Sequence, residues 1–151
     1  MAGHKVVATN RKARYNYEIL DTFEAGVVLL GSEVKSLRAA QVQLKDAYAT
    51  IRDGEIWLEN AHIAPYIFAE GGGHEPERPR KLLLHRREID RLFGRMREEG
   101  LTLVPLQIYF KNGIAKIELG LGKGKKTHDK RRDIVKKQQK REMERAKSLR
   151  R

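Results

Sequence analysis

Residues 123–151 hold 14 lysines and arginines against four acids, while residues 1–122 hold 18 basic and 16 acidic side chains. A net +10 of the formal +12 therefore sits in residues 123–151. A cationic arm on a near-neutral body is built to neutralise a polyanion. Nucleic acid is the first candidate and an anionic membrane surface the second. The arm lacks the aromatic and Leu-rich face that a membrane-surface helix needs, which lowers the second.

Covalent and metal chemistry find little support. His4, His62, His74, His85 and His128 make no metal-ligand spacing with one another or with a nearby carboxylate. Gly120-Leu-Gly-Lys-Gly-Lys125 has the glycines and lysines of a phosphate-binding loop, but it follows a strand signal and no Ser or Thr comes after the lysine. A nuclease using His128 and its neighbouring lysines has no orienting partner. No nucleophile elbow and no paired acids at a strand end are present. The expectation is a binding protein rather than an enzyme, with no cofactor and no metal. The chain has no cysteine, which excludes a disulfide framework and fits a reducing cytoplasm. No apolar run is long enough to span a bilayer, and Met1 to Asn10 has no signal-peptide core.

The elements that must carry the basic residues are mostly strands. Asn112-Gly113 supplies the two positive-φ positions of a type I′ turn. It sets Lys111 against Ile114, Phe110 against Ala115, Tyr109 against Lys116, Ile108 against Ile117 and Leu106 against Leu119. One face is apolar, and the other carries Gln107, Tyr109, Lys116 and Glu118. Pro105 changes the parity of the strand from Leu101 to Lys111 and predicts a bulge or bend there. A second hairpin, Ala47 to Asn60, turns at Asp53-Gly54 and pairs Ile51 with Ile56, Ala49 with Leu58, Arg52 with Glu55 and Thr50 with Trp57. Trp57 reads better as cover for a core edge than as a stacking platform.

Tyr15 to Phe23 alternates as a strand, and Val27 to Leu30 reads as another, buried on both faces. Ala61 to Ile67 reads as an extension of a strand, and Glu70 to Arg80 as a loop. Ser32 is placed to cap a short helix with Glu33 in its first turn and Val34 and Leu37 facing inward. Lys35 and Arg38 share another face of that helix, as phosphate contacts or as an ordinary solvated surface. Arg86 to Glu99 has helical spacing, with Ile89, Leu92, Phe93 and Met96 on one stripe and Gly100 as the stop. Residues 1–14 read from composition as a solvated, partly disordered segment. The sum is a mainly β fold: a small β-barrel of the oligonucleotide-binding type, about six antiparallel strands with two helices, with a β-sandwich as the alternative. Residues 1–122 form the barrel body. Residues 123–151 form a basic tail, disordered when free and helical on a polyanion.

Several stretches resemble the SsrA-binding protein (small protein B) family of bacterial trans-translation. They are Asn10-Arg-Lys-Ala-Arg14, Phe23-Glu-Ala-Gly26, Gly31-Ser-Glu-Val-Lys-Ser-Leu-Arg-Ala39, Arg80-Lys-Leu-Leu-Leu-His85, Gly100-Leu-Thr-Leu-Val-Pro-Leu106 and Leu119-Gly-Leu-Gly-Lys-Gly-Lys-Lys-Thr-His-Asp-Lys-Arg131. They run in the family's order over nearly the whole chain. The resemblance implies a non-catalytic adaptor that binds the tRNA-like domain of transfer-messenger RNA and delivers it to stalled ribosomes for peptide tagging. It implies a tail that becomes helical on the ribosome and occupies the decoding centre and messenger channel in place of a codon–anticodon pair. Elongation factor Tu is a candidate third member of the delivery complex. Glu24, Leu83 and Lys116 match family positions tied to RNA binding, and Asn10, Lys12 and Arg14 lie in its N-terminal RNA-facing segment. Gly124, Lys125 and Lys126 match the entry to the tail, and His128, Asp129, Lys130 and Arg131 its decoding-centre motif. Ser32 and the Gly71–Gly73 loop depart from the family pattern.

The residues themselves suit that partner in outline. A tRNA elbow is read through its backbone and by stacking on loop bases. Tyr109 beside Lys116, with Lys35, Arg38 and Lys81, offers stacking and phosphate neutralisation. Glu24 either accepts from a base edge or holds a neighbouring lysine. The competing hypothesis is a ribosome-associated structural protein whose basic tail binds any RNA.

Overall fold

The computed structural model describes residues 4–66, 73–125 and 127–149. In chain order the elements are β1 (His4–Thr9), α1 (Ala13–Asn16), β2 (Tyr17–Val27), α2 (Gly31–Arg38), β3 (Val42–Gln43), β4 (Tyr48–Arg52), β5 (Glu55–Glu59), β6 (His62–Ile63), β7 (Arg80–Leu83), α3 (Arg86–Glu99), β8 (Thr102–Lys111), β9 (Ile114–Gly124) and α4 (Thr127–Leu149). The strands β8, β4, β5, β7, β2 and β9 follow one another in the sheet, and β9 pairs back to β8. Every pairing is antiparallel. The wall is thus a closed barrel of six strands, which leaves no free sheet edge along the ring.

Both hairpins take the expected pairing. Ile51 faces Ile56 and Ala49 faces Leu58, with Asp53 and Gly54 both at positive φ. Lys111 to Ile108 face Ile114 to Ile117 in the expected order, across Asn112 and Gly113 at positive φ. The expected partner of Leu106 is different. The register shifts between Pro105 and Gln107, so Pro105 faces Leu119, Gln107 faces Glu118, and Leu106 is the extra residue of a bulge. The bulge reconciles the two halves of β8: Leu103 and Ile108 lie at opposite parity, yet both are buried in the main core. Leu106 is left outside that core. It joins Ala13 and Val104 in a second, smaller cluster on the outer wall, with Tyr17 and Ile19 against it.

That outer cluster accounts for the glycines that resemble a phosphate loop. A methyl group at Gly120 would come within 3.1 Å of the Leu106 methyls, and one at Gly122 within 3.0 Å of Tyr17 Cβ. The glycines let β2 and the chain around α1 lie close on β9.

The structure corrects several expectations. His4–Thr9, read as a solvated segment, is a strand on β8, occupying the length of that edge beyond the β4 contact at Leu103. A strand with no turn signal to its partner is invisible to local pattern. Residues 27–30 are not a separate buried strand: β2 runs through Gly26 to Val27, and Val28 and Leu30 are exposed. The small pair β3–β6 takes up part of the expected 61–67 extension, and residue 67 lies outside the described residues. The described residues hold four helices where two were expected in the body: the N-terminal segment adds the single turn α1, and the tail forms α4, the helical form expected of it on a partner. Helix α3 matches its expected span, with Gly100 left-handed at its end. Of its stripe, Ile89 and Leu92 are buried while Phe93 is exposed beneath Arg97. No described helix is long and apolar enough to cross a membrane.

Leu30, not Ser32, caps α2. The Glu33 carboxylate turns back to accept the Leu30 N–H at 2.8 Å, half of a capping box. Glu33 is fully buried, and so is Arg80 on β7. Arg80 Nε donates to Glu33 Oε2 at 2.6 Å, and its other nitrogens donate to the carbonyls of Ala61 and Pro76. Arg78 donates to the second Glu33 oxygen at 2.5 Å. The freed Ser32 hydroxyl instead meets Nδ1 of buried His74, whose Nε2–H donates to the Ile63 carbonyl. Burial by itself would raise the Glu33 carboxyl, but the hydrogen bonds from Arg78, Leu30 and Arg80 hold it below the usual carboxylate range.

Glu33→Ala is expected to cost about 3–5 kcal/mol in urea unfolding, because Arg80 is then buried without its counter-charge. The wild-type contribution is present above the unfolded carboxylate pKa of about 4.3 and is lost as pH falls through the lower native value. Acid unfolding of wild type and Glu33→Ala should therefore converge. A constant gap between them down to the acid transition would show that the pair carries none of the pH dependence.

Candidate nucleic-acid interface

Register decides which side chains meet on the outer wall. Glu24 of β2 pairs with Glu118 of β9, which pairs with Gln107 of β8. Two residues along, Gly26 pairs with Lys116 on one side and with Leu83 of β7 on the other, and Lys116 pairs with Tyr109. Residues directly opposite in antiparallel strands share a face. Glu24, Leu83 and Lys116, far apart in sequence, are thereby gathered on one surface across three adjacent strands.

Glu24 is held from one side. Tyr109 Oη donates to Glu24 Oε2 at 2.5 Å, and Lys111 Nζ lies 3.4 Å from Oε1. The Tyr109 hydrogen bond is the main reason that the Glu24 carboxyl is lowered from its usual value; burial opposes it, and Lys111, then Lys116, add to the lowering. Burial, followed by the facing Glu24 carboxylate, pushes the Tyr109 phenol up. The Tyr109 ring itself is 4% exposed, stacked beneath His4 of β1 with ring centres 4.5 Å apart. It is not a surface for a base to stack on. It anchors Glu24, and the acidic side chain is the exposed one. The lysine that Glu24 engages is Lys111, which sequence reasoning passed over. The Lys116 ammonium makes no hydrogen bond or ion pair among the described residues, so it remains available to a phosphate. Leu83 is 52% exposed beside it, an unusual position for a leucine unless something lies against it.

The N-terminal cluster joins the same wall. Arg11 and Arg14 border a shallow pocket with Thr9, Gln107 and Glu118, and so continue the surface past Glu24's strand partner. Lys12 is exposed next to them. Asn10 differs: its side-chain amide donates to the carbonyls of Pro105 and Leu44, at 2.9 and 3.3 Å. It ties β1 to the bulge and has little left for a ligand.

Three other expected cations lie apart from this surface or are engaged elsewhere. Lys35 sits over the Tyr66 ring and Arg38 over the Phe110 ring, 5.2 and 5.7 Å from the centres. Lys81 shares the outer side of β7 with Leu83 but pairs with Glu55 at 3.2 Å. Trp57, half-buried, packs under Arg52 as cover. The arginines of α3 decorate a solvent face, with Arg95 paired to Asp21.

The tail leaves the barrel at a defined point. The Lys125 N–H donates to Asn16 O at 2.9 Å, and Lys125 Nζ donates to Arg14 O at 2.9 Å and pairs with Asp133 of α4. The lysine hydrogen bond lowers the Asp133 carboxyl from its usual value. Gly124 ends β9, and Arg131 is exposed on α4. Lys126 and the side chains of His128, Asp129 and Lys130 lie outside the described residues.

Comparisons with known proteins agree on one family. A family model described as SmpB protein matches residues 7–149. The chain is 59% identical to an SsrA-binding protein of Salinispora arenicola, over 95% of this chain and 91% of that one. It is 58% identical to one of Mycolicibacterium smegmatis, over 94% and 88%. A chain in a solved structure described as "tmRNA-SmpB: a journey to the center of the bacterial ribosome" superposes with a TM-score of 0.66 at 53% identity, over 80% of this chain and 85% of that one.

Replacing Tyr109 by Phe removes the hydroxyl and leaves the ring under His4. The Glu24 carboxyl is expected to titrate higher, toward the ordinary carboxylate range, when followed by carboxyl-carbon NMR. An unchanged titration would assign the lowering to Lys111 instead.

Proposed function

The chain belongs to the SmpB family, and we propose that the wall carrying Glu24, Leu83 and Lys116 is the face that takes RNA. The protein is an RNA-binding adaptor of trans-translation. It binds the tRNA-like domain of transfer-messenger RNA and delivers that RNA to stalled ribosomes, where the stranded peptide is tagged and the ribosome released. Its partners are transfer-messenger RNA and the ribosome. The observation that carries the site is the convergence of one anchored carboxylate, one ammonium with no hydrogen bond or ion pair among the described residues, and one exposed leucine on a single surface.

Each group has work suited to shaped RNA. Lys116, with Arg11, Lys12 and Arg14 along the same wall, neutralises phosphates. Leu83 presents an apolar surface to a ribose or an unstacked base. Glu24, kept ionised and aimed by Tyr109 and Lys111, accepts from the donor edge of a base, which a lysine cannot do. The division of labour follows the charge. The near-neutral body, residues 1–122, reads the RNA, and the basic tail, residues 123–151, addresses the ribosome by occupying the decoding centre and messenger channel as a helix. The protein adds no catalysis of its own and works in the cytoplasm, where the ribosomes are.

Glu24→Ala and Lys116→Ala are expected to weaken binding to the tRNA-like domain about tenfold each in a filter-binding assay, with unfolding midpoints unchanged. Full affinity in both variants would remove this wall as the RNA site. Deleting residues 125–151 is expected to spare RNA binding and abolish tagging in a reconstituted translation system. If the truncated chain loses nearly all affinity, with a collapse of the salt dependence, the body is no specific reader and the basic tail binds any polyanion.

A further inference from the structure

Gly26 lies in the middle of β2, between Leu83 on β7 and Lys116 on β9. It needs no left-handed backbone, since its φ is not among the positive ones. A mid-strand glycine weakens a strand unless something must approach the backbone closely. Here the approaching group is Leu83. A methyl group added at Gly26 would sit 3.3 Å from Leu83 Cβ and 3.5 Å from its Cδ1. The leucine side chain therefore lies over the strand at this position, and a Cβ there would press on Leu83 Cβ and push the side chain back by a few tenths of an ångström. Gly26 is covered as a result, although Leu83 above it is half-exposed.

We infer that Gly26 is a positioning residue for RNA binding: by lacking a side chain it lets Leu83 lean across β2 toward Lys116 and complete an apolar floor beside Glu24. Leu83 on β7 lies one strand spacing from β2, which carries Glu24, and two spacings from Lys116 on β9, roughly 9.6 Å, so a side chain directed across β2 narrows that gap. With the lean, apolar contact, ammonium and carboxylate meet the same nucleotide. The occupant suited to such a floor is an unstacked loop nucleotide, its ribose or base on Leu83 and its phosphate at Lys116. This inference rests on the proposal that Leu83 touches RNA.

The test is a double-mutant cycle on the full chain, with binding to the tRNA-like domain read at fixed salt. Leu83→Ala and Gly26→Ala are each expected to weaken binding roughly tenfold. In the Leu83→Ala background, Gly26→Ala should have no further effect, because the side chain it displaces is gone. Leu83 methyl resonances should shift in Gly26→Ala while the unfolding midpoint stays within a few degrees. If Leu83→Ala binds normally, the RNA-face proposal itself fails. If Leu83→Ala weakens binding but Gly26→Ala does not, the positioning role fails and the face stands. Equal weakening by Gly26→Ala with and without Leu83 also overturns the inference, since the added methyl would then act on the RNA or the strand directly. If Gly26→Ala unfolds, Leu83→Ile offers a second route: moving the branch nearer the backbone should obstruct the lean and weaken binding in a folded barrel, and full affinity would overturn the inference.

Discussion

The bulge at Leu106 is the constraint on which the barrel and the site both rest. Strand β8 has three partners: β9 along one edge, and β4 then β1 along the other. To serve all of them it must bend, and to keep Leu103 and Ile108 in one core it must also change parity. One extra residue does both. It throws Leu106 outward, where Ala13, Val104 and Ile19 cover it, and that contact seats the N-terminal segment against the wall. The same register puts Tyr109 opposite Lys116 and within reach of Glu24. A strand without the bulge would present the wrong faces on one side of Pro105.

A second constraint closes the opposite side of the barrel. Glu33 and Arg80 are ionised groups with no access to water, and neither would be tolerated alone. Together they join α2 to β7, and through the Ala61 and Pro76 carbonyls they also hold the chain on either side of β6. Such a pair adds little net stability over an apolar replacement, but it is demanding in geometry. It fixes α2 relative to β7, and so fixes the strand that carries Leu83.

The proposed RNA face combines rigid support with exposed chemistry. Each exposed group has a buried reason for its position: Glu24 is aimed by Tyr109, Tyr109 is held under His4, and Leu83 is set by its place opposite Gly26. The root of the tail is tied to this body through Lys125 to Asn16 and Arg14, and the first turns of α4 lie beside α1, where Asp133, Ile134 and Lys137 line a pocket with Arg11, Arg14 and Tyr15. Beyond that root α4 has no continuous apolar stripe to dock with, and Ile134, Val135 and Met143 are exposed. The arrangement suits a body committed to one partner and an arm free for another.

Much of this was legible in the residues because it depends on local pattern. Asn112-Gly113 and Asp53-Gly54 determine two hairpins and their registers. The spacing from Ile89 to Met96 determines α3, Gly100 its end, and Pro105 the bend. The distribution of charge separates a near-neutral body from a basic arm before any fold is known. The family resemblance pointed to Glu24, Leu83 and Lys116, which the structure sets on one face of three adjacent strands. What only the tertiary structure decided are the relations between residues far apart in the chain. His4–Thr9 became a strand because β8 had an unfilled edge. Tyr109 changed from a stacking platform to a buried anchor because β1 covers it. Asn10 was spent on the bulge carbonyls, and Glu33 found Arg80 across 47 positions. Local propensity acts over a turn or a strand, whereas burial and pairing depend on which distant segment arrives, and no short window of sequence contains that information.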